Sequence, residues 1–129
     1  MEYFIEKKVY YHDTDCGGVV YYANYLKYFE EARTELFLAK GIELGKLAKR
    51  NVLFVVGQAI LNYKAPARYQ DILKISSRVE RIKNVSIQFV QIVKRDNTFL
   101  VNADITLVCI DNNFKPISIP AEIKQSLNA

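Results

Sequence analysis

Asp13 and Asp15 run directly into Gly17-Gly18, and at Asn24 an amphipathic segment begins. A carboxylate held beside free backbone N–H groups can perform acyl transfer. The carboxylate attacks an acyl carbon or takes a proton from water, while donors at a helix start meet the charge developing on the carbonyl oxygen. The glycines let backbone approach a ligand closely, and the helix start adds the positive end of its dipole. On residue types alone, Asp15 reads equally well as a turn aspartate capping the Gly17-Gly18 bend.

The neighbouring groups offer other chemistry, and each has a plainer reading. Asp13 is read as a brace for the loop rather than a second catalytic carboxylate. His12 is the only histidine, no GxSxG elbow accompanies it, and alternation along an extended strand places it opposite Tyr11 and Asp13. It is therefore read as a loop histidine and not as part of a triad. A thiol nucleophile wants a cationic neighbour, whereas Cys16 follows a carboxylate, so Cys16 is read as a small packed residue. Glu30, Glu31 and Glu35 lie on the amphipathic segment, where Lys27, Arg33 and water satisfy them. Tyr21, Tyr22, Tyr25, Tyr28 and Phe29 are read mostly as core, with Tyr22 or Tyr25 bordering an acyl pocket.

The elements that position these residues follow from periodicity. Tyr3 to Tyr11 alternates as a strand and ends in the turn chemistry of Asp13 to Gly18. Leu26, Phe29, Ala32 or Arg33, Leu36 and Ala39 recur at helical spacing, which predicts a helix over Asn24 to Lys40 with Asn24 as N-cap and Gly41 at C′. Its apolar stripe is wide enough for a helix enveloped on several sides. A shorter helix is expected over Glu43 to Arg50. Strands are expected over Leu53 to Tyr63, Ile72 to Ile82, Val85 to Arg95 and Thr98 to Ile110, with hairpin turns at Lys83-Asn84 and Asp96-Asn97. Ile117 to Ile119 is expected as an edge strand and Ala121 to Leu127 as a terminal helix. One strand, one long helix and then consecutive hairpins make an α+β pattern, most economically a curved antiparallel sheet around the helix.

The 129 residues suffice for one domain, 1–129, with a real core. No secretory leader or membrane span is legible. The two cysteines, Cys16 and Cys109, lack metal-site or disulfide-framework spacing and suit a reducing cytoplasm. The net charge of +4 is scattered rather than striped, which argues against nucleic acid and suits a small phosphorylated ligand. Exposed sheet edges predict a homodimer at least.

The run from Val9 to Glu35, with Asp13-Thr14-Asp15-Cys16-Gly17-Gly18 and Tyr22-Ala23-Asn24-Tyr25 at its heart, resembles the hotdog-fold acyl-CoA thioesterases of the 4-hydroxybenzoyl-CoA thioesterase type, nearest the YbgC branch. Tyr63-Lys64-Ala65-Pro66-Ala67-Arg68-Tyr69-Gln70-Asp71 is similar to the family's second segment. The resemblance implies a hotdog fold, with an antiparallel sheet of five or six strands wrapped around one long central helix, and sheets paired edge to edge in homodimers or homotetramers. It implies Asp15 as the catalytic carboxylate, either nucleophile or general base, and the backbone N–H at Tyr22 as the donor that polarises the carbonyl. YbgC-like proteins usually carry a histidine where this chain has Tyr22, as the 4-hydroxybenzoyl-CoA enzyme does, which leaves a carboxylate and a backbone donor as the working pair. Gly18 and Tyr25 are expected at the substrate, and Lys83, Asn84 and Ser86 align with positions that hold the phosphates of coenzyme A.

The expected activity is hydrolysis of a small acyl or aroyl thioester of coenzyme A, or of acyl carrier protein, without metal or bound cofactor. The alternatives are a non-hydrolytic acyl-binding module and a hotdog dehydratase. The dehydratase needs a histidine paired with a carboxylate, and His12 is poorly sited for it.

Overall fold

The computed structural model describes residues 2–128. Strand β1, Glu2–Lys8, leads through a 3-10 turn at Tyr11–Asp13 to helix α1, Asn24–Ala39, and helix α2, Leu44–Lys49. Strands β2 (Leu53–Tyr63), β3 (Ile72–Ile82), β4 (Ser86–Arg95) and β5 (Thr98–Ile110) follow, and helix α3, Ala121–Asn128, ends the fold. The strands form one five-stranded antiparallel sheet in the order β1-β3-β4-β5-β2. With α1 against its inner face, this is the expected α+β hotdog architecture.

Alternation decides which face is buried. Ile87, Phe89, Gln91 and Val93 of β4 point inward, as do Leu73, Ile75 and Ser77 of β3 and Ala103, Ile105, Leu107 and Cys109 of β5. They meet Tyr25, Tyr28, Phe29, Ala32, Leu36 and Phe37 of α1. Fully burying each ring of Phe29, Phe37 and Phe89 contributes about 1.5–3 kcal/mol. Gly41, at φ 77°, takes the left-handed C′ position that ends α1. Asp96, at φ 53°, opens the two-residue turn closing the Arg95–Thr98 pair of the β4–β5 hairpin.

Several expectations are corrected. The first strand ends at Lys8 rather than Tyr11, because Asp13 draws the chain into a 3-10 turn. The Tyr10 N–H donates to Asp13 Oδ2 (2.9 Å), and the Asp13 N–H to the Tyr10 carbonyl (3.0 Å). The N-cap of α1 is Ala23 rather than Asn24, whose side-chain amide instead donates across the loop to the Asp13 carbonyl (2.8 Å). Ile117 to Ile119 forms no strand. After a single bridge between Ile110 and Pro116, the Ile117 N–H reaches the Cys109 carbonyl and the Ile119 N–H the Asn84 carbonyl, each at 2.9 Å. Arg33 is not a surface partner for the helix glutamates but is buried against the sheet, while Glu31 pairs with Lys7 at 3.2 Å. The sheet covers one face of α1 and leaves Leu26 and Leu38 on the surface of the single chain.

The two sheet edges differ in kind. Edge strand β1 carries Glu2, Glu6, Lys7 and Lys8, charges that discourage pairing with another chain. Edge strand β2 is longer and has no charged residue between Leu53 and Tyr63, and Val56 and Ile60 on it are about half exposed.

Candidate active site

The segment from Val9 to Asn24 is a hairpin pinned at both ends. Thr14 bridges Val20, the Asp15 N–H donates to the Val19 carbonyl (2.9 Å), and the Gly18 N–H donates back to the Asp15 carbonyl (3.1 Å), making Asp15 to Gly18 a tight turn. Gly18 sits at φ 79°, a conformation that other residues adopt at a cost. Asp13 lies beneath. Its carboxylate is buried, and its carbonyl receives the Tyr21 N–H (3.0 Å) and the Asn24 side chain (2.8 Å), which ties the start of α1 to the loop.

Asp15 itself is exposed at the tip of the turn, and its Oδ1 accepts the Gly17 N–H at 2.8 Å. The capping bond of the turn reading is therefore present. Among the described residues no hydrogen bond engages Oδ2, which leaves one oxygen of this exposed carboxylate uncommitted. Cys16 is exposed, not packed, because it occupies the outside of this turn. His12 lies beside Asp13, with Nδ1 at 3.5 Å from Oδ1, and its ring stacks on Tyr10. The 3-10 turn overrides the alternation that put it on the opposite side.

The second motif forms the bed of the first. The Val9 N–H donates to the Asp71 carbonyl (2.8 Å), the Gln70 N–H to Val9 (2.9 Å) and the Val20 N–H to Ala67 (2.8 Å), and Val19 bridges Arg68. Asp71 Oδ2 closes this bed by accepting the Arg68 N–H and Arg95 Nη1, both at 2.8 Å. Arg95 is a supporting residue that sequence reasoning missed. Its signal was a lone arginine ending a strand opposite the Asp71 turn, visible only once β3 and β4 are paired.

Above α1 the tyrosines separate by depth. Tyr25 is buried, its hydroxyl accepting the Ala67 N–H at 3.2 Å, and burial raises its pKa above the ordinary tyrosine value. Tyr28 is buried, and among the described residues its hydroxyl has no hydrogen-bond partner. Burial first, and the nearby Asp13 carboxylate second, push its pKa well up. Tyr21 and Tyr22 are exposed, with ring centroids 4.8 Å apart. The Tyr21 pKa is raised by the hydrogen bond and charge of the Tyr22 hydroxyl and, lastly, by Asp15. Among the described residues neither the Tyr22 nor the Ala23 amide donates a hydrogen bond within the chain. An uncommitted carboxylate oxygen and an open helix-start donor thus stand on one loop.

Lys83 and Ser86 meet elsewhere, at a groove of about 220 Å³ shared with Gln58, Arg81, Gln88 and Thr106. Gln58, Thr106, Gln88 and Arg81 form one cross-strand row over four strands. Asn84 sits at the adjoining turn, its carbonyl taken by Ile119, and does not line the groove. Arg81 and the glutamine–threonine row were not anticipated, since their alignment depends on bulges near Gly57 and Glu80 that shift the register. From Gln58 to Tyr63, β2 runs roughly 17 Å, so in one chain this groove stands apart from Asp15.

The family model of the thioesterase-like superfamily matches residues 9–127, both motifs included. The chain belongs to the thioesterase-like superfamily. This thioesterase is 40% identical over 124 residues to the acyl-CoA thioester hydrolase YbgC of Escherichia coli O6:H1, covering 92% of each chain. Its fold superimposes on a hypothetical protein of Aquifex aeolicus with a TM-score of 0.92 at 29% identity, over 97% of this chain and 98% of that one. A 4-hydroxybenzoyl-CoA thioesterase in complex with 4-hydroxybenzoyl-CoA shares the fold, with a TM-score of 0.91 at 18% identity and 98% of both chains covered. The expectation of a YbgC-like hotdog thioesterase is thereby met.

Proposed function

We propose that this thioesterase hydrolyses small acyl or aroyl thioesters of coenzyme A to the free acid and CoA, with Asp15 as the reacting carboxylate and the Tyr22 N–H as the carbonyl donor. The observation that carries the reading is the pairing, on one pinned loop, of an exposed carboxylate with a helix-start amide that has no partner among the described residues. Two routes use the same geometry. Asp15 takes a proton from water as the water oxygen adds to the carbonyl carbon, and returns it to the departing thiolate. Alternatively it attacks the carbon itself, expels the thiolate and forms an anhydride that water then cleaves. In both, the oxyanion develops at the Tyr22 N–H, where a fixed donor and the helix dipole act without reorganising.

The working unit in this reading is a homodimer built along β2, the uncharged edge. Antiparallel pairing of two copies of β2 sets the Tyr63 end of one against the Leu53 end of the other. The partner's groove then approaches the Tyr22 surface, which brings Lys83 and Ser86 within reach of a substrate whose acyl end lies at Asp15. Gly18 lets the loop backbone approach the thioester, and Tyr25 supports the acyl pocket from below. The setting in this reading is the cytoplasm, where two free cysteines stay reduced. No helix among the described residues is long and apolar enough to cross a membrane.

The test is thiol release from short, long and aromatic acyl-CoAs and from acyl carrier protein thioesters, by the native protein and by Asp15→Asn. Turnover by the native protein and loss of about 10²–10⁴-fold in the variant, with the fold and oligomer unchanged, is the expected result. Full activity of Asp15→Asn overturns the assignment of the carboxylate. Binding of these thioesters by the native protein without thiol release favours the acyl-binding module instead.

A further inference from the structure

We infer that Tyr63 is a positioning residue for the helix-start donor, reaching from the edge strand β2 to hold the peptide of Tyr22. The Tyr63 hydroxyl donates to the Tyr22 carbonyl at 3.2 Å. Its ring stands edge-on to that of Tyr22, with centroids 6.4 Å apart at 89°, and leans on Tyr25 at 5.7 Å. Tyr25 is itself fixed by the Ala67 N–H and by an edge contact with Tyr28. The clamp on Tyr22 therefore rests on buried rings and not on another exposed side chain.

The geometry of the backbone makes this hold specific. Tyr22 is flanked by two peptide planes, and each is pinned at its carbonyl. The Tyr21 carbonyl accepts the Asn24 N–H (2.9 Å) and the Tyr22 carbonyl accepts the Tyr63 hydroxyl. In a trans peptide the N–H points away from the carbonyl of the same plane, so fixing both carbonyls fixes the direction of the Tyr22 and Ala23 N–H groups. Accepting a hydrogen bond at the Tyr22 carbonyl also polarises that peptide and strengthens its own N–H, that of Ala23, as a second donor beside the Tyr22 N–H. Without Tyr63 the middle peptide of the turn from Tyr21 to Asn24 is free to rock about the Tyr22 Cα, and the Tyr22 N–H on the turn's first peptide, which must meet an oxyanion within a few tenths of an ångström, loses part of its effect. Because β2 is also the edge on which the proposed second copy pairs, Tyr63 joins that edge to the peptide next to the reacting amide.

This inference rests on the reading of the Tyr22 amide as the carbonyl donor, and the experiment separates the two. Tyr63→Phe keeps the ring contacts and removes only the hydroxyl. With a good acyl-CoA substrate its kcat should fall about three- to tenfold, the worth of one neutral hydrogen bond, with KM within about twofold of the native value. The amide nitrogen resonance of Ala23, whose peptide plane loses the bond, should move while the melting temperature and oligomeric state stay the same. Tyr63→Leu, which also removes the ring, should lose more in kcat. A native kcat in Tyr63→Phe, a raised KM with native kcat, or an unmoved Ala23 resonance overturns the inference. If Asp15→Asn is inactive while Tyr63→Phe is native, only the positioning role fails. If Asp15→Asn is fully active, the underlying site fails.

Discussion

Arg33 reaches from α1 into the core and donates through Nη1 to Gln91 Oε1 at 3.0 Å. Gln91, wholly buried on β4, uses its other end twice, donating to the Phe29 carbonyl (3.0 Å) and the Ser77 hydroxyl (2.7 Å). Burial lowers the Arg33 pKa and the charge of Glu30 partly restores it, which marks a guanidinium held in the interior by a neutral amide instead of a carboxylate. The network fixes α1 on the sheet in one register, and with it the helix start at Tyr22.

Removing the amide should therefore be costly. Gln91→Leu leaves a buried cation, a hydroxyl and a helix carbonyl short of partners, and should lose about 3–5 kcal/mol of stability in urea denaturation. Adding Arg33→Met should restore part of that loss, because the uncompensated buried cation is then gone while the Ser77 hydroxyl and the Phe29 carbonyl stay short of a partner. Native stability in the single variant would falsify the claim that Gln91 is the partner that makes the burial of Arg33 tolerable.

Tyr28 sets an alkaline limit. Its pKa is raised in the folded chain above the ordinary value of 10.0, by burial and then by Asp13. The folded state therefore keeps a proton that the unfolded chain releases. The stability linked to that proton is fully present below about pH 10 and is lost as pH rises from there toward the folded pKa. Tyr28→Phe removes the group and its unpartnered hydroxyl. Urea midpoints measured from pH 8 to pH 11 should fall less steeply in the variant, with little change at pH 8. Equal slopes for the two proteins would assign the alkaline loss to other groups.

The strands from β2 to β5 and the long helix were legible because their periodicities, turn residues and Gly41 all favour the same local structure. The loop of the site was legible only in part. Residue type marks Asp15 and Gly18 as a carboxylate ahead of a glycine turn, and only the family resemblance singles out Tyr22. The 3-10 turn and the cross-loop bond of Asn24 arise from Asp13 meeting partners that folding brings to it, and Cys16 is exposed on the outside of the turn. Arg33 looked like a surface residue because its partner, Gln91, is distant in sequence. Tyr63 and Arg81 stayed hidden for a related reason. Each becomes informative only through strand register, and bulges shift that register where the groove forms.

A charge on β2 tests the assembly. Val56, about half exposed on the open edge, lies away from Asp15 and Tyr22 in sequence and in the sheet. Val56→Glu places a carboxylate where a second copy is expected to pair, and should convert the proposed dimer to a folded monomer in sedimentation or light scattering. Activity should fall at least about tenfold if the site is completed across the edge, since the partner's groove is then lost. A folded, fully active monomer would show that one chain suffices.

The groove over the sheet makes a separate claim about which part of the substrate it holds. Arg81 and Lys83 are exposed and cationic, no carboxylate among the described residues lines the groove with them, and Ser86, Gln58, Gln88 and Thr106 add neutral hydrogen-bonding groups. Such a lining suits phosphate oxygens, and its exposure limits each contact to a modest, salt-screened gain. Arg81→Ala and Lys83→Ala should each raise KM for an acyl-CoA by about three- to thirtyfold, with kcat near native, and the effect should shrink as ionic strength rises. With the same acyl group carried on pantetheine, which lacks the nucleotide and its phosphates, KM should be equal in the native protein and both variants. A similar rise in KM for the pantetheine thioester would place the acyl arm, rather than the nucleotide, in this groove.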